Sequence, residues 1–306
     1  MSFDNIIGNN KIKNMLEASV SSKHFSHSYM FIGEDGIGKF LFAKEFAKMI
    51  LCEDFKNGSP CETCKSCIEY NTQNHPDFFI VSPEDEKSIK IEQIRYMQEK
   101  ISEKPIVSSK KVYIINDSNL MTKEAQNCLL KTLEEPPEYA VIILVLSNES
   151  KILNTIKSRC TKIHFSNLTD SEIKEYFNYT NQTFNSNILK ICNGSIGKAI
   201  LLKDDVLVYE DLDKLIESFK TKDIVDIWNQ SEILYKSKDS IYNLLEYMNV
   251  SFMNQVLEKN NLKFINCIKI IENTKNRLLA NANYDMSIDN LCLGIWEEFH
   301  EKYNRS

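Results

Sequence analysis

Between residues 29 and 51 the chain runs from an apolar segment, Tyr29 to Ile32, through the loop Gly33-Glu34-Asp35-Gly36-Ile37-Gly38-Lys39 into a stretch with helical periodicity. A glycine-rich loop between a strand and a helix turns backbone N–H groups toward one point, and the helix N-terminus adds favourable dipole for an anion. The segment therefore reads as a phosphate-binding loop, with Lys39 reaching the terminal phosphates. The surrounding sequence fits a sheet built around that strand. Further strands are expected at Phe78–Ser82, Val112–Ile115, Ala140–Leu146 and Thr161–Phe165, and helices at about 10–22, 39–51, 91–103 and 122–135. Apolar strands alternating with helices predict an α/β domain over residues 1–165 whose parallel sheet is covered on both faces.

The phosphate site lacks parts that hydrolysis needs. A working loop of this kind has Ser or Thr after its lysine, because that hydroxyl ligates Mg²⁺. Here the position is Phe40. The strand Val112–Ile115 should end in an acidic pair, one acid supporting the metal and the other polarising the attacking water, but it is followed by Asn116-Asp117. Both departures fall on the same magnesium site. ATP or ADP binding through the loop backbone and Lys39 stays open, while hydrolysis is expected to be slow or absent.

Four of the nine cysteines crowd into one short segment, as Cys52, Cys61, Cys64 and Cys67. Four soft thiolates at this spacing match a closed tetrahedral Zn²⁺ site with no open position, hence a structural one. An iron–sulfur cluster is the rival, disfavoured because no downstream Cys-x3-Cys-Pro ligand follows. The other five, Cys128, Cys160, Cys192, Cys267 and Cys292, stand among apolar residues and read as small core side chains. The N-terminus shows no basic region followed by an apolar run, and no segment is long and apolar enough to span a bilayer, so a cytoplasmic protein without membrane contact is expected. The net charge of −6 argues against coating nucleic acid by bulk charge.

After Phe165 the pattern changes. Thr169-Asp170-Ser171-Glu172 has capping-box spacing, and Ile173, Tyr176 and Phe177 follow at helical intervals. No strand is expected from there to the end. A small helical lid domain is expected at 166–205, ending near the glycine pair Gly194 and Gly197. A larger all-α domain is expected at 206–306.

Several motifs together resemble bacterial clamp-loader subunits of the AAA+ family. Phe3-Asp4-Asn5-Ile6-Ile7-Gly8-Asn9 is similar to their N-terminal segment, and His27-Ser28-Tyr29-Met30-Phe31-Ile32-Gly33 to the strand that enters their phosphate loop. The cysteine spacing resembles the zinc module inserted in them. Lys123 through Pro137 is similar to a characteristic helix with its Pro-Pro stop, Ser158-Arg159-Cys160 matches the SRC motif, and Asn281 through Leu291 resembles their last helices. The resemblance covers most of the chain and is weakest between about 205 and 270.

What the resemblance implies is a ring of five subunits that opens a sliding clamp and places it on primed DNA. Its partners are tau/gamma and delta subunits, the clamp, and DNA through the complex. The last domain becomes the collar that joins subunits. The family holds an ATP-hydrolysing tau/gamma kind and a kind whose nucleotide site is commonly degraded. Phe40, Asn116 and the chain length favour the second, with the first as the alternative. In hydrolysing relatives an arginine near Gly194-Ser195-Ile196-Gly197-Lys198 contacts nucleotide, and here Gly197 or Lys198 takes its place. Arg159 is then expected to act in trans as an arginine finger on the neighbour's ATP. A zinc-bearing nucleic-acid binder with a vestigial phosphate loop is a third possibility, which the charge disfavours. A small-molecule kinase is a fourth, for which no acceptor pocket is recognisable.

Overall fold

The computed structural model describes residues 3, 6–56, 58–84, 87–182, 189–202, 206–259 and 262–300. The N-terminal Asp4 and Asn5, and the ends of the expected lid and collar segments at 203–205 and 301–306, lie outside the described residues. The chain separates into two compact units. One is Met1–Asn181 with Gly194–Lys198, and the other is Gln182–Asn193 with Ala199–Ser306.

The first unit is built on five strands: β1 (Ser28–Ile32), β2 (Phe78–Val81), β3 (Lys111–Ile115), β4 (Ala140–Leu146) and β5 (Thr161–His164). All pair in parallel, in the order β2-β3-β4-β1-β5. Every residue of β1, β3 and β4 is buried, because helices cover both faces of a parallel sheet. At the edge, β5 buries only Ile163.

On one face, α1 (Asn10–Ser21) and α2 (Lys39–Leu51) enclose a core of Leu16, Phe42, Phe46, Val112, Val141 and Phe165. Phe3 joins it, with its ring centroid 5.2 Å from that of Phe42. After α3 (Lys65–Asn71), the opposite face is covered by α4 (Ile91–Ser102) and α5 (Lys123–Glu134), which bury Ile94, Met97, Leu129 and Leu133 against Tyr113, Ile142 and Leu144. Thr122 caps α5 by accepting from the Ala125 amide. The short α6 (Asn154–Lys157) precedes β5, and α7 (Asp170–Tyr179) follows it. α7 opens with the capping box read from the sequence: the Glu172 amide donates to Thr169 Oγ1, and the Thr169 amide donates to the Glu172 carboxylate.

The remaining described elements are all helical: α8 (Leu189–Cys192), α9 (Ile196–Leu202), α10 (Val206–Ser218), α11 (Ile224–Gln230), α12 (Glu232–Lys236), α13 (Ile241–Lys259), α14 (Leu262–Leu279) and α15 (Tyr284–His300). In the second unit the three long helices α13–α15 bury Leu245, Met248, Phe252, Cys267, Ile271, Leu291 and Ile295. Gly294 of α15 faces Ile270 of α14, whose side chain a Cβ there would meet at 3.4 Å, an ordinary van der Waals contact. Among the described residues, no helix is long and apolar enough to cross a membrane.

Candidate functional site

The loop Gly33–Lys39 leaves β1 and enters α2 through Gly38, the helix N-cap, at φ +95°. Gly36 also has positive φ, at +77°. Both conformations favour glycine, which has no Cβ to clash. Lys39 is folded back onto its own loop. Its ammonium donates to the Gly33 carbonyl at 2.7 Å and the Glu34 carbonyl at 2.6 Å, and lies 3.7 Å from the Asp35 carboxylate. Burial pushes its pKa below the ordinary lysine value, with Asp35 and Asp117 opposing. Phe40, where a metal-binding hydroxyl would stand, packs part-buried against the α1/α2 core, with Lys44 over its ring.

The end of β3 meets this loop. Asn116 is fixed by its backbone amide, which donates to the Val81 carbonyl at 2.9 Å. Its side-chain amide donates to Asp117 Oδ2 at 2.8 Å. Asp117 stands at φ +49°, in the left-handed region. Burial and the charge of Asp35 raise its pKa, while Lys39 lowers it. The fold thus gathers Lys39, Asp35 and Asp117 into one electrostatic group. Asn116 serves Asp117 as a hydrogen-bond donor in place of a second carboxylate.

Residues 194–198 come back to the same loop. Ser195 Oγ donates to the Asp35 carbonyl at 2.7 Å, and the Gly197 amide donates to the Gly36 carbonyl at 2.9 Å. A Cβ on Gly197 would lie 2.7 Å from Gly36 Cα, so two glycines are what permit this approach. The resemblance places a nucleotide-contacting arginine of hydrolysing relatives near 194–198, where Gly197 or Lys198 stands here, but the sequence gives no sign that Ser195 bonds the loop, since the partners are 160 residues apart.

The four expected metal ligands converge: the sulfurs of Cys52, Cys61, Cys64 and Cys67 all lie within 4.8 Å of one another. A zinc ion bound at about 2.3 Å per sulfur sets S–S edges of about 3.8 Å, and Cys61 and Cys67 stand 4.0 Å apart. Amides also point at sulfur, as a thiolate site requires. Cys61 N–H donates to Cys52 Sγ at 3.3 Å, Cys64 N–H to Cys61 Sγ at 3.3 Å, and Cys67 N–H to Cys64 Sγ at 3.4 Å. The Thr63 amide leads a set of donors that lowers the Cys61 pKa to about 6, whereas burial pushes Cys52 and Cys67 up. This cluster fits a metal ion. Its base is tied to the sheet by a buried polar network. Ser66 and Ser108 hydroxyls both donate to the Leu51 carbonyl, at 2.7 and 2.8 Å, and both approach His75 Nε2, at 2.8 and 3.2 Å. Asp77 accepts three amides, from Ile106, Val107 and Ser108.

Arg159 follows α6 at the surface with its side chain 34% exposed. Its guanidinium donates to the Thr155 carbonyl at 2.8 Å and to Glu134 Oε1 at 2.9 Å. Of its basic neighbours in sequence, Lys162 pairs with Glu149, and Lys157 donates to Asn154 at 3.3 Å. Behind Arg159, burial raises the Cys160 thiol to about 11.

Comparison with known proteins matches residues 8–169 to a family described as DNA polymerase III, delta subunit. Among curated relatives, DNA polymerase III subunit delta' of Bacillus subtilis is 37% identical over 165 residues, which is 54% of this chain and 50% of that protein. Subunit delta' of Pseudomonas aeruginosa is 35% identical over 45% of this chain and 42% of its own length. Subunit tau of Bacillus subtilis is 29% identical over 84% of this chain and 50% of its own. The chain spans about half the length of the curated relatives it matches. Among solved structures, a gamma-subunit-related protein of Thermotoga maritima aligns with 94% of this chain and 99% of its own at 17% identity, with a TM-score of 0.48.

Proposed function

Because the chain belongs to the DNA polymerase III delta-subunit family of clamp-loader proteins, with delta-prime subunits among its relatives, we propose that it is the delta-prime member of a clamp loader. In this reading it is a non-hydrolysing subunit that helps place a sliding clamp on primed DNA. Its partners are the tau/gamma and delta subunits and, through the complex, the clamp and DNA. We assign the α/β unit through 165 to the ring of nucleotide-binding domains, 166–205 to a lid and 206–306 to a collar that joins subunits.

The observation that carries this reading is the state of the phosphate loop. Lys39 is satisfied by its own loop carbonyls, and a phenylalanine packs where the metal-binding hydroxyl belongs. The chain's contribution to chemistry then comes from Arg159. A guanidinium presented to ATP on the neighbouring tau/gamma subunit stabilises charge on the transferring phosphoryl group, and such fingers are worth roughly 10³–10⁵ in rate. Lysine would not substitute, since it lacks the planar fork. Cys52, Cys61, Cys64 and Cys67 would hold Zn²⁺, which supplies a structural cross-link and takes no part in turnover.

A second reading is an ATP-hydrolysing tau/gamma-type subunit, favoured by the length of the match to the tau relative. Magnesium-dependent ATP turnover by the purified chain alone separates the two. The delta-prime reading expects none above a Lys39→Ala control, and turnover abolished by that substitution would establish the second.

A further inference from the structure

We propose that Glu134 is a positioning residue for Arg159, fixing the guanidinium at the subunit surface before a neighbour's phosphate arrives. The inference rests on the reading of Arg159 as a finger supplied in trans.

Glu134 is the last residue of α5, immediately ahead of Glu135-Pro136-Pro137. A carboxylate there faces the negative end of the helix dipole, so its location is not explained by helix electrostatics. Its carboxylate instead accepts from Arg159 at 2.9 Å across 25 residues of sequence.

The two partners lie in the same compact unit. Leu129 and Leu133 bury α5 in the sheet core. The side chain of Gln126 then bolts α5 to the segment that leads into α6, donating to the Lys151 carbonyl at 3.0 Å and accepting from the Leu153 amide at 2.9 Å. The Arg159 main chain is fixed as well, with its amide donating to the Ile156 carbonyl at 3.0 Å and its carbonyl accepting from Ser28 Oγ at 2.6 Å.

A guanidinium carries five N–H donors. Glu134 and the Thr155 carbonyl each take one, and the contact to Ser158 Oγ lies at 3.5 Å, the limit of a hydrogen bond. Donors therefore remain for an incoming phosphate without release of Glu134. A long arginine side chain loses considerable rotamer freedom when it is fixed. Glu134 imposes that cost in the free subunit, so less is lost when the transition state forms. An exposed ion pair with no such role would be nearly silent.

The test is steady-state ATP turnover, at varied ATP, of a loader reconstituted with clamp and primed DNA. It compares this chain with Glu134→Ala, Glu134→Gln, Arg159→Ala and the double variant Glu134→Ala/Arg159→Ala, each checked for ring assembly by gel filtration. Glu134→Ala is expected to remove at least half of the turnover that Arg159→Ala removes, through kcat with KM for ATP little changed. Glu134→Gln, which keeps an acceptor oxygen at the same reach, recovers part of it. The double variant is expected to match Arg159→Ala alone. Normal turnover in Glu134→Ala beside a loss in Arg159→Ala overturns the positioning role and leaves the finger standing. So does a double variant that falls well below Arg159→Ala, because Glu134 would then act through something else. No loss in Arg159→Ala removes the finger itself.

Discussion

Gly197 lies directly on Gly36 of the phosphate loop, its amide donating to the Gly36 carbonyl at 2.9 Å with no room for a Cβ between them. Substitution at Gly197 should therefore destabilise by steric conflict rather than by backbone strain. Gly197→Ala is expected to cost about 1–3 kcal/mol, the usual range for overpacking. Gly38→Ala should cost a similar amount, about 1–3 kcal/mol, for the opposite reason: its φ is +95°, yet a Cβ there meets nothing within 4 Å. Urea unfolding measures both. Hydrogen exchange separates them, since only Gly197→Ala should loosen the Ser195–Gly197 contact with the loop.

Phe40 and Asn116 together are expected to leave the phosphate loop without a working magnesium site. Any nucleotide affinity of the purified chain is expected to be the same with Mg²⁺ or EDTA. Phe40→Thr with Asn116→Asp should make binding at least several-fold tighter with Mg²⁺, because the pair returns the hydroxyl and carboxylate that such a site uses. Fluorescent-nucleotide titration reads both, and tight magnesium-dependent binding by the unaltered chain would contradict the assignment.

Metal analysis of the purified chain should find one zinc per chain, lost on Cys61→Ser. Apparent binding energies of structural zinc sites are roughly 10–16 kcal/mol, so removal by a strong chelator should loosen the segment from Cys52 through α3 before the sheet melts. Hydrogen exchange should show lost protection there first, ahead of β1 and β4.

His75 gives a pH dependence whose sign follows from its burial. Its pKa is held below the ordinary 6.5, chiefly by desolvation. The unfolded chain therefore takes up a proton that the folded chain resists. This contribution to stability is complete above pH 6.5 and falls as pH drops from 6.5 toward the folded value. His75→Gln should flatten that part of the stability profile. His75→Ala should also cost about 1–3 kcal/mol, because it removes the Nδ1 acceptor of the buried Asp77 amide.

Much of the α/β unit was legible in the sequence because local pattern and tertiary burial agree there. Ala140–Leu146 is seven apolar residues in a row and forms a strand with every residue buried. Strand ends differ from expectation by one residue: β5 stops at His164, with Phe165 turning into the core as the chain leaves the edge. The cysteine spacing announced a metal cluster, but not that Cys64 would cap α3 by accepting from Cys67 N–H. What the sequence concealed is long-range pairing. Nothing near Ser195 names Asp35, nothing near Glu134 names Arg159, and nothing near Asp77 predicts three amides from 106–108. Each depends on how the sheet brings distant loops together, which periodicity does not encode.

The most direct test of the account is ATP turnover by a reconstituted loader, with clamp and primed DNA, containing either this chain or its Arg159→Ala variant in a ring of verified assembly. A clear loss of turnover with the variant, not restored by Arg159→Lys, is the result predicted for an arginine finger supplied by an otherwise silent subunit. Turnover unchanged by Arg159→Ala in an intact ring would contradict that role.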